Sequence, residues 1–304
     1  MPKAYVFTRY GGPEAEALVE VDRPSPGPRQ VLVAVRAAGV NPVDWKQRTG
    51  YRRPGESGER DFPAWFGNEV SGVVEEVGEG VEGFAVGDAV FGRPVVGGYS
   101  EYALLSVDLI AHKPEALSFT DAATLPVAAV TAYDGIRQLD LATGATLLVT
   151  GAGGGVGVAA VQIARALGLR VVGLASEAKK DLVEALGAEH VASGPGWTGR
   201  VTGAVDGVYD LVGGDVLEEA ATLLTDRTRL ITAGAPPEVV EKLGGARVAR
   251  VRTSERLAAA ADLVVRGDLD PQVTQTFPLE RAGEALRTVE EGHARGKIVI
   301  EVAP

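Results

Sequence analysis

The stretch Leu147-Leu-Val-Thr-Gly-Ala-Gly-Gly-Gly-Val-Gly-Val-Ala-Ala-Val-Gln162 decides the fold. An apolar run enters a glycine cluster, and a segment of helical character follows it. Read from its end, the cluster is the fingerprint Ala152-x-Gly154-x-x-Gly157, with Gly155 and Val156 inside it. Small residues let a backbone approach a pyrophosphate, and free N–H groups at a helix start, with the helix dipole, hold its negative charge. Gly157 lets the helix pack closely on the preceding strand. A glycine fingerprint alone is weak and equally describes a tight turn that binds nothing. Here it has a strand before it, a helix after it and a second strand at the right distance, which is the context the motif requires.

Outward from the loop, strands and helices alternate. Ala145–Thr150, Arg170–Ala175, Gly207–Val212 and Leu230–Ala233 read as strands, and Val156–Leu167, Glu177–Leu186 and Val216–Leu224 as helices. This βαβ alternation predicts a parallel, doubly wound sheet. The first hundred residues differ. Val31–Ala37, Val70–Gly78, Asp88–Phe91 and Tyr102–Leu105 are short β-branched runs between glycine-rich turns, the pattern of a small barrel-like β domain. Ser118 looks like a helix cap at the changeover. Near the end, Leu279–Glu291 is amphipathic, with Leu279, Ala282, Leu286 and Val289 on one face, and the Lys297 run reads as a strand returning to the first domain. The fold class is therefore α/β, with a β domain of residues 1–116 and 265–304 and a dinucleotide-binding domain of residues 117–264. A ligand of the loop belongs in the cleft between domains, at the carboxyl ends of the parallel strands.

The residue that meets an adenosine ribose lies about 20 positions beyond the loop, where an acid favours NAD. Here Ser176 stands 19 positions after Gly157, followed by Glu177, Lys179 and Lys180. A serine with lysines accepts a 2′-phosphate, so NADP(H) is the expected cofactor, with Ser176 and Lys180 as contacts. Glu177 serves as a ribose acid instead if the strand ends one residue later, and the lysines then become a solvated helix face.

The net charge of −11 repels nucleic acid and anionic lipid, and neither is an expected partner. With no cysteine, disulfides and cysteine-ligated zinc are excluded. No uncharged apolar stretch is long enough to span a membrane, and the N-terminus carries no leader-like pattern, so a cytoplasmic location is expected.

Several further blocks carry a likeness: Ala38-Gly-Val-Asn-Pro-Val-Asp-Trp-Lys46, Phe66-Gly-Asn-Glu-Val-Ser-Gly-Val-Val-Glu-Glu-Val-Gly78 with Phe84-Ala-Val-Gly-Asp-Ala-Val90, Gly97-Gly-Tyr-Ser-Glu-Tyr102, Ala122–Tyr133 and Gly296-Lys-Ile-Val-Ile300. Over nearly its whole length the chain resembles the zinc-independent quinone oxidoreductase branch of the medium-chain dehydrogenase/reductase superfamily. That implies a GroES-like catalytic domain beside a Rossmann domain. Zinc-dependent relatives carry a ligand Cys in the first block and a ligand His in the second. Asp44 or a neighbour and Asn68 stand there, and none of His112, His190 and His293 falls at a ligand position. No metal is expected.

By the same resemblance, Asn41 lies near the nicotinamide ribose and the substrate. Lys46 is similar in position to a lysine of enoyl reductases that stabilises an enolate or relays a proton, and is otherwise a surface lysine. Tyr51 is a second donor candidate. Trp45 and Trp65, with Tyr51, offer flat walls for a planar substrate unless they are core aromatics. Thr131 faces the nicotinamide, Val156 backs it, and Gly213, Gly234 and Lys297 line the rest of the groove. Where relatives often place a tyrosine by the 2′-phosphate, the chain offers Gly194.

Without a Lewis acid, polarising an alcohol or aldehyde is hard, whereas a quinone or α,β-unsaturated carbonyl accepts hydride readily. The expected activity is NADPH-dependent reduction of such an acceptor. An enoyl-thioester reductase and a non-catalytic NADPH-binding redox sensor are the alternatives. A homodimer is implied, with Arg247–Arg252 as an edge strand for pairing or an edge guarded by its arginines.

Overall fold

The computed structural model describes residues 1–52, 58 and 60–303. The chain divides into two compact units, each discontinuous in sequence: Met1–Val127 with Arg252–Val265 and Val273–Pro304, and Ala128–Val251 with Arg266–Gln272.

The first unit is organised by one long strand, Gln30–Val40. Its β-branched run is buried along almost its whole length because it is flanked on both sides. It pairs antiparallel with Val70–Val77, with Tyr102–His112 through its first half, and with Lys297–Glu301 through its last residues. Ala89–Val96 bridges Val70–Val77 to Tyr102–His112, so four strands close on themselves. Closure brings backbones close: a Cβ on Gly72 would lie 2.6 Å from Val33 Cγ1 and collide with the Ala34 carbonyl. Phe7, Val33, Phe66, Tyr99, Leu105 and Ile300 fill the core. The returning strand Lys297–Glu301 thus joins the first unit as the sequence predicts, and Val273–Pro278 extends the sheet parallel to it.

The long strand runs straight into the helix Pro42–Arg48. Asn41 caps it in extended geometry, Pro42 occupies the first turn, and the Asp44 carboxylate accepts the Asn41 N–H at 2.8 Å. The far end is anchored by Arg48, which is fully buried. Its guanidinium donates to Gly11 O at 3.1 Å, to both Glu290 carboxylate oxygens at 2.8 and 2.9 Å, and to Glu16. Glu290 ends the helix Ala282–Glu290, preceded by a 3-10 turn at Leu279–Arg281. The predicted apolar face holds: Leu279, Ala282 and Leu286 are buried and Val289 packs against the same core.

The second unit is a six-stranded parallel sheet in the order Glu189–Ala192, Arg170–Ala175, Thr146–Thr150, Gly207–Asp210, Leu230–Thr232, Ala246–Arg247. The order reverses between Thr146–Thr150 and Gly207–Asp210, which makes their carboxyl ends the switch point where such sheets bind ligands. Two expectations need correction. The predicted helix over Glu177–Leu186 begins as a 3-10 turn, Glu177–Lys179, and becomes α-helical at Lys180–Ala185. The expected edge strand Arg247–Arg252 is a strand only at Arg247. The donors beyond it are taken by side chains of the helix Val130–Leu139: Ala249 N–H by Gln138 Oε1 and Val251 N–H by Asp134 Oδ2, both at 2.8 Å. A backbone tied to a helix in this way presents no ladder for pairing.

Among the described residues, no helix is long and apolar enough to cross a membrane.

Candidate functional site

In the second unit the glycine loop folds as its sequence requires. Gly151 takes a left-handed φ of 68°, Ala152 N–H bonds Leu174 O at 3.0 Å, and the helix Gly155–Ala166 starts behind Gly154. The first helical acceptor is Gly154 O, taken by Val158 N–H at 2.9 Å. The N–H groups of Gly155, Val156 and Gly157 therefore lie in the opening turn, where no intrahelical acceptor exists. Gly157 has no room for a side chain: a Cβ there would collide with Gly151 O and lie 2.7 Å from Ala152 C. Gly153 does not point at empty space either. A Cβ on it would lie 2.7 Å from Cδ and 2.9 Å from Cβ of Lys179, so the stem of Lys179 lies across the loop. Lys180, Ser176 and Glu177 are exposed around it. The 3-10 turn thus lays Lys179 over the glycines, and the predicted Lys180 follows it in the chain. Gly194 has open space where a side chain would be, and Arg200 donates to Ala192 O at 2.9 Å and Gly194 O at 3.4 Å.

The floor beside the loop is braced by Asp210, which is fully buried at the end of its strand. Its carboxylate accepts Thr150 Oγ1 at 2.6 Å, Thr232 Oγ1 at 2.5 Å, Val212 N–H at 3.2 Å, and Gly213 N–H at 3.1 and 3.0 Å. Thr232 Oγ1 in turn accepts Gly234 N–H at 2.9 Å and Ala235 N–H at 3.1 Å. The predicted Gly213 and Gly234 are thereby brought together: a Cβ on Gly234 would lie 2.8 Å from Gly213 N. Thr131 is buried in the first turn of its helix, and its carbonyl accepts Tyr209 OH at 2.7 Å. Burial pushes the Tyr209 hydroxyl up, so it remains a donor.

In the first unit, polar groups converge on Asn41. Its Nδ2 donates to Glu69 Oε1 at 2.8 Å, and its Oδ1 accepts from Lys297 Nζ at 2.9 Å. Lys297 Nζ also donates to Glu69 Oε1 at 2.7 Å and Val40 O at 3.2 Å. Glu69 Oε2 accepts Val127 N–H at 2.7 Å, within the π-helical turn Leu125–Ala129. A second cluster surrounds Asp44, which accepts from Asn41 N–H, Asn68 Nδ2 and, at 2.9 Å, Tyr99 OH. Burial raises the Asp44 carboxyl against these three bonds, and burial with the Asp44 charge raises Tyr99.

The other predicted residues lie at the margin of this network. Lys46 is exposed, with Nζ 5.5 Å from the Trp45 ring centroid, and Tyr51 donates its backbone N–H to Lys46 O at 2.9 Å. Trp45 is half-buried against the core, and Trp65 sits on the short strand Ala64–Trp65 opposite Val6. Neither tryptophan joins the Asn41 network. A cavity in the same unit lined by Arg36, Glu101, Phe119, Thr276 and Glu301 shares no residue with that network. Sequence reasoning missed Glu69 and Asp210 as organisers. Glu69 carried one signal: Gly39, two residues before Asn41, where a Cβ would collide with Glu69 Oε1 and lie 2.7 Å from Ala123 O.

Residues 27–115 match the alcohol dehydrogenase GroES-like domain and residues 186–300 the zinc-binding dehydrogenase domain. The quinone oxidoreductase of Pseudomonas aeruginosa is 32% identical, over 99% of this chain and 99% of that protein. The chain belongs to the medium-chain dehydrogenase/reductase superfamily. Its members are oxidoreductases, and two solved structures of the family superpose over almost the whole chain. The quinone oxidoreductase from Coxiella burnetii has a TM-score of 0.93 at 31% identity, covering 99% of each chain. Mycobacterial Rv1454c complexed with NADPH has 0.87 at 27%, covering 99% of this chain and 100% of that one.

The family's zinc description does not fit the residues of this chain. Asp44 and Asn68 hydrogen-bond to each other, and the remaining carboxylate oxygen of Asp44 takes Asn41 N–H and Tyr99 OH. No group of three or more His, Cys, Asp or Glu side chains is gathered to hold a metal among the described residues.

Proposed function

We propose that this chain is an NADPH-dependent oxidoreductase that reduces a quinone or an α,β-unsaturated carbonyl without a metal ion. One observation carries the reading. Where a metal-dependent relative needs open ligands, the chain has the satisfied cluster Asp44–Asn68–Tyr99, and a hydrogen-bonding amide, Asn41, stands beside it. A site without a Lewis acid does best with an acceptor that needs little polarisation. The bound nicotinamide supplies the hydride.

The chain's own residues hold and orient. The opening turn at Gly155–Gly157 offers backbone donors for a pyrophosphate. Lys179, lying across Gly153, supports a preference for the 2′-phosphate, with Ser176 and Lys180 exposed nearby. Asp210 fixes the loops of Gly213 and Gly234. Asn41 offers a hydrogen bond to an oxygen, and Lys46 and Tyr51 are the candidate proton donors. The reading includes a cytoplasmic homodimer acting on small molecules, with no nucleic-acid or membrane partner. Sedimentation of the purified chain tests the dimer.

The deciding experiment follows loss of reduced-nicotinamide absorbance with NADPH and with NADH, against a benzoquinone, a naphthoquinone, an alkenal and an enoyl thioester. Turnover of a quinone or alkenal with NADPH, undiminished by chelators, is the expected result. Turnover of the thioester alone makes the chain an enoyl-thioester reductase. NADPH binding without turnover of any acceptor refutes the reading and leaves a redox sensor.

A further inference from the structure

We propose that the buried Lys297–Glu69 ion pair is a positioning device that holds the Asn41 amide as a hydrogen-bond donor to a ligand oxygen, and that Lys297 itself does not touch the ligand. This rests on the reading of the site given above.

Lys297 is all but inaccessible, and its ammonium has three protons with three acceptors: Val40 O, Asn41 Oδ1 and Glu69 Oε1. Nothing is left to donate to a cofactor, so the expectation that Lys297 lines the groove gives way to a role one residue removed. The pair also decides which way round the amide sits. Oδ1 faces the ammonium and Nδ2 faces the carboxylate. A flipped amide would set its NH2 against the Lys297 ammonium and its oxygen against the Glu69 carboxylate, two repulsive contacts in a buried site where such contacts are costly. One Nδ2 proton is committed to Glu69, and the other has no acceptor among the described residues. The acceptor of that proton is an oxygen with a free lone pair: a substrate carbonyl or the enolate it becomes, or a ribose hydroxyl of the dinucleotide.

Each member of the device is fixed independently. The Asn41 backbone is held by Asp44, and Glu69 Oε2 is held by Val127 N–H. The space for the Glu69 carboxylate exists only because residue 39 has no side chain.

The test is a set of variants: Lys297→Met, Glu69→Gln, both together, Asn41→Ala, and the triple combination. Readouts are melting temperature, NADPH dissociation constant, kcat and KM, and the Asn41 side-chain amide resonances, assigned by their loss in Asn41→Ala. Lys297→Met alone strands a buried carboxylate and lowers the melting temperature, and adding Glu69→Gln restores most of it. The restored protein still loses about tenfold to a hundredfold in function, the scale expected for a misplaced group. The loss falls on NADPH affinity if the oxygen is the ribose's, and on kcat/KM for the acceptor if it is the substrate's. Asn41→Ala costs nothing further in that background, as a double-mutant cycle requires of residues acting through one another.

Full additivity overturns the proposal, as does a double variant with unaltered kinetics and amide resonances. The wild-type chain supplies a check that needs no variant. One of its Asn41 amide protons is strongly shifted and slow to exchange with solvent; a pair at ordinary amide shifts, both exchanging rapidly, overturns the device. If the wild type turns over no acceptor, the functional reading falls alone, and the resonances and NADPH affinity still decide the positioning role.

Discussion

Replacing Asp210 with asparagine changes one heavy atom and leaves shape almost intact, so its cost measures the brace at the carboxyl ends of three strands. The carboxylate accepts bonds from Thr150, Thr232, Val212 and Gly213. An asparagine has one oxygen for them. In its better orientation the oxygen replaces Oδ1 and keeps Thr150, Val212 and the 3.1 Å bond from Gly213. The NH2 then faces Thr232, whose hydroxyl must turn to accept it. That oxygen already accepts Gly234 N–H and Ala235 N–H, so three donors crowd one atom and the hydroxyl proton loses its acceptor. The surviving bonds also drop from charge-assisted to neutral, roughly halving each. A stranded buried proton costs about 1–3 kcal/mol, and weakening the rest adds about 1 kcal/mol, giving about 2–4 kcal/mol in all.

Urea unfolding followed by far-ultraviolet circular dichroism and by intrinsic fluorescence reads this directly. Both probes are needed because two units need not unfold together. Because the same bonds hold Gly213 and Gly234 against one another, NADPH affinity falls along with stability. Asp210→Asn within about 0.5 kcal/mol of wild type, the range of neutral surface changes, would show that the strand ends are held by packing and not by this carboxylate.

Gly157→Ala drives a Cβ into Gly151 O and Ala152, fixed backbone on both sides, so a cost of about 1–3 kcal/mol and loss of NADPH binding are expected, checked by thermal melts and isothermal titration. Lys179→Glu weakens NADPH by about tenfold or more while leaving NADH nearly unchanged, since hydrogen bonds to charged groups contribute about 1.5–3 kcal/mol; equal losses for both dinucleotides would remove Lys179 from 2′-phosphate recognition. Asp44 has its carboxyl raised by burial, so between the ordinary range near about pH 4 and its raised value the folded chain holds more protons than the unfolded one. The stability it contributes is full below that range and falls as pH rises through it. Asp44→Asn removes this slope, and urea midpoints of the two proteins across the acidic range will diverge in that sense; a wild type that gains on the variant as pH rises contradicts the assignment.

The glycine loop was legible because its constraints are local: strand, small residues and helix follow one another in the chain, and each demands the next. The long-range partners of the loop were not. Asp210, Thr150 and Thr232 close three separate strands, and nothing in their local sequence says that those strands lie side by side at their carboxyl ends. The place of Lys179 was hidden because helical character over Glu177–Leu186 does not show that a 3-10 turn opens the segment. The tighter 3-10 turn rotates the side chains differently and lays Lys179 across Gly153. Arg247–Arg252 alternates like a strand, yet its donors are claimed by Gln138 and Asp134 more than a hundred positions earlier. Resemblance points to Asn41, and it places its partner Lys297 along the groove instead of against the Asn41 side chain. That the two touch depends on the closing strand lying beside the long central one, which pairs Ile298 with Val40.

Buried charge is the feature of this chain that packing alone does not explain. Glu69 and Asp44 are both fully buried, with Lys297 nearly so. An ion pair taken out of water is a weak source of stability, and apolar residues of similar volume often do as well or better. These groups share one point of contact. Asp44 holds the Asn41 backbone, and Glu69 with Lys297 holds its side chain. Two polar clusters that contribute little to the fold by themselves thus fix a single amide in position and in sense. On the proposed metal-free reading, direction is what the protein has to supply: a donor aimed at an oxygen before the reaction begins needs no reorganisation while it proceeds. The stability forgone by burying charge is then recovered as a lower barrier. Variants that replace the clusters by apolar residues should therefore come out as stable as the wild type or more so, and slower.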